Sequence, residues 1–275
     1  MRVLISADLE GISGVVHQSE IQPGRYDYER GRALMTAEVN AVVAGVLDAD
    51  PAAEVLVTDA HGSFRNILPE DLDRRALLVR GKPRPHGMLD GLDEATDAVL
   101  FVGFHARAGA GPAVLAHTMS GDILEVRVNG RPYGEIGLNA ATAGHFGAPV
   151  VLLSGDDQAC AELRSLVPGA VTVAVKQAIG QTAAITRHPA AVREELRRAA
   201  AEAVTHRAEI APFAIPGPVH VEVDVGSPLA VDLATLVPGV TRTGGGRTIS
   251  CTAADVAEAY RVVLLVVHLA GIKPS

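Results

Sequence analysis

Short runs without polar alternation recur through the first two thirds of the chain, separated by longer segments of helical periodicity. That alternation constrains the fold more than any other feature. Residues 3–7 read as a strand buried on both faces, because apolar and polar positions do not alternate there. Residues 28–47 place Leu34, Val39, Val42, Val43 and Val46 at helical spacing without an internal proline, which predicts the first crossover helix. Further strands are predicted at 54–58, 76–79 and 98–104. Repeated strand–helix–strand units imply a parallel sheet with right-handed crossovers.

Asn129-Gly130 separates two strand-like runs, 123–128 and 132–135, and is a strong short-range hairpin signal. The pattern then predicts a helix at 137–146, a buried strand at 149–153, a helix at 158–166 and a strand at 171–175. A long helix follows at 189–207, with Pro189 in its first turn. Pro212, Pro216 and Pro218 mark the best candidate boundary, dividing an α/β metal-binding domain (1–211) from a smaller α+β C-terminal part (212–275). In that second part, 219–225 alternates apolar with polar residues as a half-exposed strand does, and 255–269 reads as an amphipathic helix. The fold class is therefore α/β: a mostly parallel sheet with flanking helices plus a smaller α+β C-terminal part.

Composition narrows the function. The 24 Lys and Arg residues are outnumbered by 32 Asp and Glu, giving a formal charge of −8. Nucleic-acid partners are not expected, since that affinity rests largely on neutralising phosphates. Aromatic residues are 3% of the chain and Trp is absent, which weakens any reading built on stacked bases or sugars. The longest apolar stretch, 262–272, carries His268 and falls short of the ~20 residues a membrane helix needs. The two cysteines, Cys160 and Cys251, are far apart and make no disulfide framework. With no signal-peptide pattern at the start, a cytoplasmic protein is expected, without a membrane partner.

Ligands of open parallel sheets bind at the carboxyl ends of the strands. The residues just past the expected strands are Asp8 and Glu10, then Asp59 and His61, then His105, and Glu135 after the hairpin. Residues two apart in extended chain project to one face, so Asp8 can act with Glu10, and Asp59 with His61. Gly11, Gly14 and Gly62 follow directly and let the backbone turn around a bound group. Taken singly, each acid or histidine would be a cap, a loop residue or a structural group. Together, the three acids Asp8, Glu10 and Glu135 and the imidazoles of His61 and His105 suit Zn²⁺ or a similar ion. A bridging carboxylate makes two ions about 3.5–4 Å apart plausible.

Ser6-Ala7-Asp8-Leu9-Glu10-Gly11-Ile12-Ser13-Gly14 resembles the amino-terminal signature of the M55 metallopeptidases, the family of zinc-dependent D-aminopeptidases. The resemblance continues through Tyr28-Glu29-Arg30-Gly31-Arg32, Thr58-Asp59-Ala60-His61, Gly103-Phe104-His105-Ala106-Arg107-Ala108 and Ala116-His117-Thr118-Met119. It also takes in Val128-Asn129-Gly130-Arg131-Pro132, Gly134-Glu135-Ile136-Gly137-Leu138-Asn139 and Gly155-Asp156-Asp157, thinning past about Lys176. The resemblance implies two zinc ions per chain, bridged by Asp8. It implies Glu10 with His105 on one ion, His61 with Glu135 on the other, and a catalytic role for His117. It further implies a ring-shaped homodecamer enclosing the active sites and a short peptide substrate, with D- or L-amino-terminal preference left open.

The resulting expectation is a zinc-dependent aminopeptidase using metal-activated water, with His117 as proton donor, base or oxyanion stabiliser. Two rivals are a two-metal phosphoesterase, for which Arg107 is the only basic residue close in sequence to a ligand, and a non-catalytic peptide- or metal-binding module. The Gly244–Gly246 run lacks the Gly-Lys-Ser/Thr ending of a phosphate-binding loop and reads as a loop, with substrate gating as its sharper role. Arg30 and Arg32 read as structural or solvated groups at a helix start, and His188 and His206 as solvated.

Overall fold

The structure is a computed structural model that describes residues 1–272. Its first half builds β1 (Arg2–Ala7), α1 (Tyr28–Ala49), β2 (Glu54–Asp59), β3 (Leu77–Val79) and β4 (Ala98–Phe104). The chain continues through β5 (Ile123–Val128), β6 (Arg131–Tyr133), α2 (Glu135–His145), β7 (Val150–Asp156) and α3 (Asp157–Leu166). Next come β8 (Val171–Gly180), β9 (Ala183–Thr186), α4 (Pro189–Thr205), β10 (Val219–Val225) and α5 (Pro228–Ala234). It ends with β11 (Thr241–Thr243), β12 (Thr248–Ala253) and α6 (Val256–Ala270).

Seven strands form the larger sheet in the order β3-β2-β1-β4-β7-β8-β9, all parallel except β9, which closes the edge as a hairpin with β8. The central strands β4 and β7 are buried along their whole length, which explains their lack of alternation. Helices α1 and α4 pack on each other, and the core of this unit is built mainly from Val, Leu, Ile and Ala. No helix among the described residues is long and apolar enough to cross a membrane. Both cysteines are buried and unpaired, and burial pushes the Cys160 thiol up to about 12.

The second sheet is antiparallel, in the order β11-β12-β10-β5-β6. It draws on both sides of residue 212: β5 pairs with β10, with Val126 opposite Val223. A cut at 211/212 would separate these partners. The cause is apolar matching, since Ile123, Val126, Val128 and Tyr133 share one buried cluster with Val219, Val221, Val223 and Val225. The β5–β6 connection is the expected Asn129-Gly130 turn, with φ of 52° and 76°, as a two-residue hairpin of the I′ kind requires.

At one point two glycines set the site directly. Gly11 N–H donates to the Gly103 carbonyl at 2.7 Å, and a Cβ on Gly11 would run into the Phe104 carbonyl oxygen. Gly103 sits at φ 71° against the Asp8 carbonyl. This close approach brings the ends of β1 and β4, and so Asp8 and His105, side by side.

Candidate metal centre

Four elements and one connection deliver six side chains to one point. Asp8 and Glu10 follow β1, His61 follows β2, His105 follows β4, and Glu135 is the first residue of α2, capped by Gly134. His117 comes from the long connection between β4 and β5. That connection is pinned by Leu115 N–H to the Gln181 carbonyl (2.8 Å) and by Met119 N–H to Glu135 Oε1 (2.5 Å). Leu115 and Met119, on either side of His117, hold φ of 52° and 61°. Left-handed backbone at two non-glycine residues costs roughly 1–3 kcal/mol each and marks a segment held in place by its surroundings.

Distances define two triads that share Asp8. His61 Nδ1 lies 2.8 Å from Glu10 Oε2 and 3.3 Å from Asp8 Oδ1. His105 Nε2 lies 3.4 Å from both Asp8 Oδ2 and Glu135 Oε1. Ligand atoms of Asp8, Glu10 and His61 fall within 4.8 Å of one another, as do those of Asp8, His105 and Glu135. In these distances Glu10 lies nearest His61 and Glu135 nearest His105, whereas the family resemblance places Glu10 with His105 and His61 with Glu135. A third set, Glu10, His105 and His117, meets the same limit. His117 Nε2 stands 3.8 Å from Glu10 Oε1 and 3.8 Å from Glu135 Oε1, and its ring stacks on that of His105 at 4.1 Å.

Each imidazole is oriented through its other nitrogen by a backbone carbonyl. His61 Nε2 meets the Ile21 carbonyl (2.8 Å), His105 Nδ1 that of Ala106 (3.0 Å), and His117 Nδ1 that of Leu115 (2.8 Å). A carbonyl only accepts, so these nitrogens carry protons, and at the carboxylate-facing nitrogen a bound metal would take the lone pair in place of a proton. Metal-binding histidines are fixed in this manner. Two atoms at the centre, Asp8 Oδ2 and His105 Nε2, are buried without any hydrogen-bond partner. Buried polar atoms without partners are costly, and a divalent ion between these two would satisfy both. The donor set therefore fits zinc.

The electrostatics record the crowding. Burial, then the Glu10 charge, raises the Asp8 carboxyl from its ordinary 3.8 to about 8. Burial also raises Glu10, but His61 prevails and holds it well below its usual range. His105 likewise outweighs burial at Glu135 and lowers it. Burial, reinforced by neighbouring His105, lowers His117 and keeps it neutral.

Asp59 does not join the cluster. Its carboxylate accepts from the backbone N–H of Asn66 (2.5 Å) and Ile67 (2.8 Å) and from the Asn66 amide (2.8 Å). It shapes the loop beyond His61 in place of binding a metal. Arg107 donates to the Ala108 carbonyl and is not part of the cavity lining. Arg32 bridges Glu29 and the Asn66 carbonyl, a structural role. His188 caps α4 and His206 ends it, both exposed. The Gly244–Gly246 run is a turn between β11 and β12 with none of its residues buried.

Sequence reading missed Lys176. It is fully buried in β8 and donates to the carbonyls of Glu10 (2.5 Å), Ile12 (3.0 Å) and Val15 (2.5 Å), anchoring the loop that carries Glu10. Burial lowers its ammonium from 10.5 to about 8. The only signal was a basic residue ending an apolar strand. Lys176→Met is expected to lower unfolding stability by about 3 kcal/mol in denaturant titrations, because buried carbonyls lose their donor. Zinc retention should fall with it.

The matching family model is Peptidase_M55, described as D-aminopeptidase, and it spans residues 1–265. The chain belongs to the M55 peptidase family. It is 35% identical over 270 residues to the D-aminopeptidase of Bacillus subtilis (strain 168), covering 98% of each chain. A solved structure, the Zn-dependent D-aminopeptidase DppA from Bacillus subtilis, described as a self-compartmentalizing protease, superposes with a TM-score of 0.96 at 34% identity. Each chain is covered in full. The architecture of this M55 chain is thus that of a known member of its family.

Two cavities meet at the cluster. One, of about 480 Å³, is lined by Asp8, Glu10, His61, His117 and Glu135 together with Phe64, Lys82, Arg84 and Met119. The other, of about 600 Å³, shares Glu10, His61 and His117 and extends past Gln22 and Gln181.

Proposed function

We propose that this M55 chain is a dinuclear zinc aminopeptidase that removes the N-terminal residue, with D configuration preferred, from short peptides. The observation that carries this reading is the pair of carboxylate–imidazole triads sharing Asp8, with Asp8 Oδ2 and His105 Nε2 lacking any other partner. Asp8, Glu10 and His61 would hold one ion, and Asp8, His105 and Glu135 the other. When bound, zinc supplies Lewis acidity, polarising the scissile carbonyl and making water acidic enough to attack near neutral pH.

The chain's own residues supply the rest. The acidic walls of the cavity favour the substrate's ammonium end, the end an aminopeptidase must recognise. His117 has its Nδ1 proton committed to Leu115 and a free Nε2 lone pair beside the cluster, so it can take a proton from the nucleophile and return it to the leaving amine. Its side chain is 24% exposed, against 2–4% for His105 and Glu135, which leaves room for substrate beside it. Arg107 is turned to a backbone carbonyl, so the phosphoesterase reading loses the residue it relied on. Assembly into a closed homo-oligomer, a decamer by family resemblance, in the cytoplasm would confine access to short peptides.

The test is one panel on protein purified without chelator: D- and L-amino-terminal dipeptides, casein and a chromogenic phosphate ester. Expected are about two zinc ions per chain, hydrolysis favouring the D-dipeptides and abolished by chelator, no phosphate release, and intact casein. Only trace transition metal, with hydrolysis indifferent to chelator, would falsify the reading. Light scattering that finds a fully active monomer would remove the compartment.

A further inference from the structure

We propose that Lys82 and Arg84 form the receptor for the free carboxylate at the far end of a short peptide, so that the site reads peptide length as well as the amino terminus. This rests on the aminopeptidase reading and assigns the remainder of its substrate. Both cations line the 480 Å³ cavity that holds Asp8, Glu10, His61, His117 and Glu135. They share one aromatic support: the Arg84 guanidinium lies 4.1 Å from the centroid of the Phe64 ring, and Lys82 Nζ 5.5 Å.

The support is tied to the metal cluster by the backbone. Phe64 N–H donates to the His61 carbonyl at 2.8 Å, closing a turn that starts on a cluster residue. Phe64 adopts φ 60°, and its carbonyl accepts from Gly81 N–H at 2.6 Å, linking that turn to the segment bearing the cations. A turn of this kind keeps its end Cα atoms within about 7 Å. An extended dipeptide spans about 7 Å and a tripeptide about 10 Å, so a peptide with its amino end at the cluster reaches the Phe64 region.

Neither cation has an ion-pair partner within 4 Å among the described residues. Arg84 commits two bonds, to the carbonyls of Asp59 (2.6 Å) and Val79 (3.3 Å), and Lys82 is exposed. Burial first, then the neighbouring Arg84 charge, lowers the Lys82 ammonium. Two like charges held on one ring, with only the Asp90 and Asp59 charges acting on Arg84 from beyond 4 Å, suit an arriving anion, and Arg is adapted to carboxylates. The anion a short peptide brings is its own C-terminus.

The experiment compares D-alanylglycine with its C-terminal amide on the zinc-loaded protein, by steady-state kinetics and by calorimetric binding. The free acid should be favoured about tenfold or more in kcat/KM, mainly through KM. In Lys82→Met, which loses no hydrogen bond, that acid-to-amide ratio should fall several-fold; with Arg84→Gln added it should approach one. Arg84→Lys should keep most of the preference. Equal affinity of the wild type for acid and amide, or a ratio unmoved in the double variant, overturns the carboxylate receptor. Acid-selective binding without cleavage of either compound would leave the receptor standing and overturn the aminopeptidase reading.

Discussion

With Asp8 replaced by Asn, the protein is expected to retain less than half of its zinc and to lose on the order of 10³-fold or more of its peptide hydrolysis. The magnitude follows from several kcal/mol of charge stabilisation that the metal supplies, at about 1.4 kcal/mol per tenfold. Asn keeps the size of the side chain but offers a neutral, weaker ligand at the one position both triads share. Glu10→Gln, which leaves the Asp8–His105–Glu135 triad complete, should retain more metal. Elemental analysis of the two variants beside the wild type checks this, with circular dichroism confirming the fold. Equal zinc in both variants would remove Asp8 from the bridging position.

His117→Ala is expected to lower kcat by about 10²–10⁴-fold, or about 3–5 kcal/mol of barrier, while zinc content and assembly stay at wild-type values. The side chain stacks on His105 and approaches both Glu10 and Glu135, yet neither proposed triad needs it. Its loop is fastened through Leu115 and Met119 backbone groups that the substitution does not touch. A variant with near-normal turnover, or one that loses rate only in proportion to lost zinc, would show His117 to be a structural neighbour of the site.

Strand ends made most of this cluster legible. Asp8, Glu10, His61 and His105 stand just beyond strands whose apolar runs are unmistakable, and open parallel sheets gather such positions at one edge. Glu135 was found for a partly different reason: expected at the end of a hairpin strand, it opens α2 instead. Asp59 departs from that pattern. Its two-residue spacing from His61 placed both on one face, but Gly62 turns the chain and the loop folds back, so the carboxylate caps Asn66 and Ile67. The division of ligands between two ions likewise depends on side-chain placement across strands, which no local pattern carries. Lys176 and the β5–β10 pairing are long-range choices. A buried cation that satisfies three carbonyls leaves no local pattern, and neither does a hairpin that pairs with a strand far along the chain.

The centre sits where the two sheets join, with Glu135 contributed by the helix that follows the hairpin of the second sheet, Asp8, Glu10, His61 and His105 by strand ends of the first, and His117 by the connection between them. Segments so distant in sequence must all be in place before the last ligand arrives. Non-local contacts of this kind are slow to form. An ion held by ligands from both sheets would bind only the assembled state and would stabilise it according to the free zinc concentration. The metal would then fasten the hairpin's sheet to the parallel sheet, and the concentration of free zinc would set how long the native chain persists wherever the ligands gather only after the folding transition state.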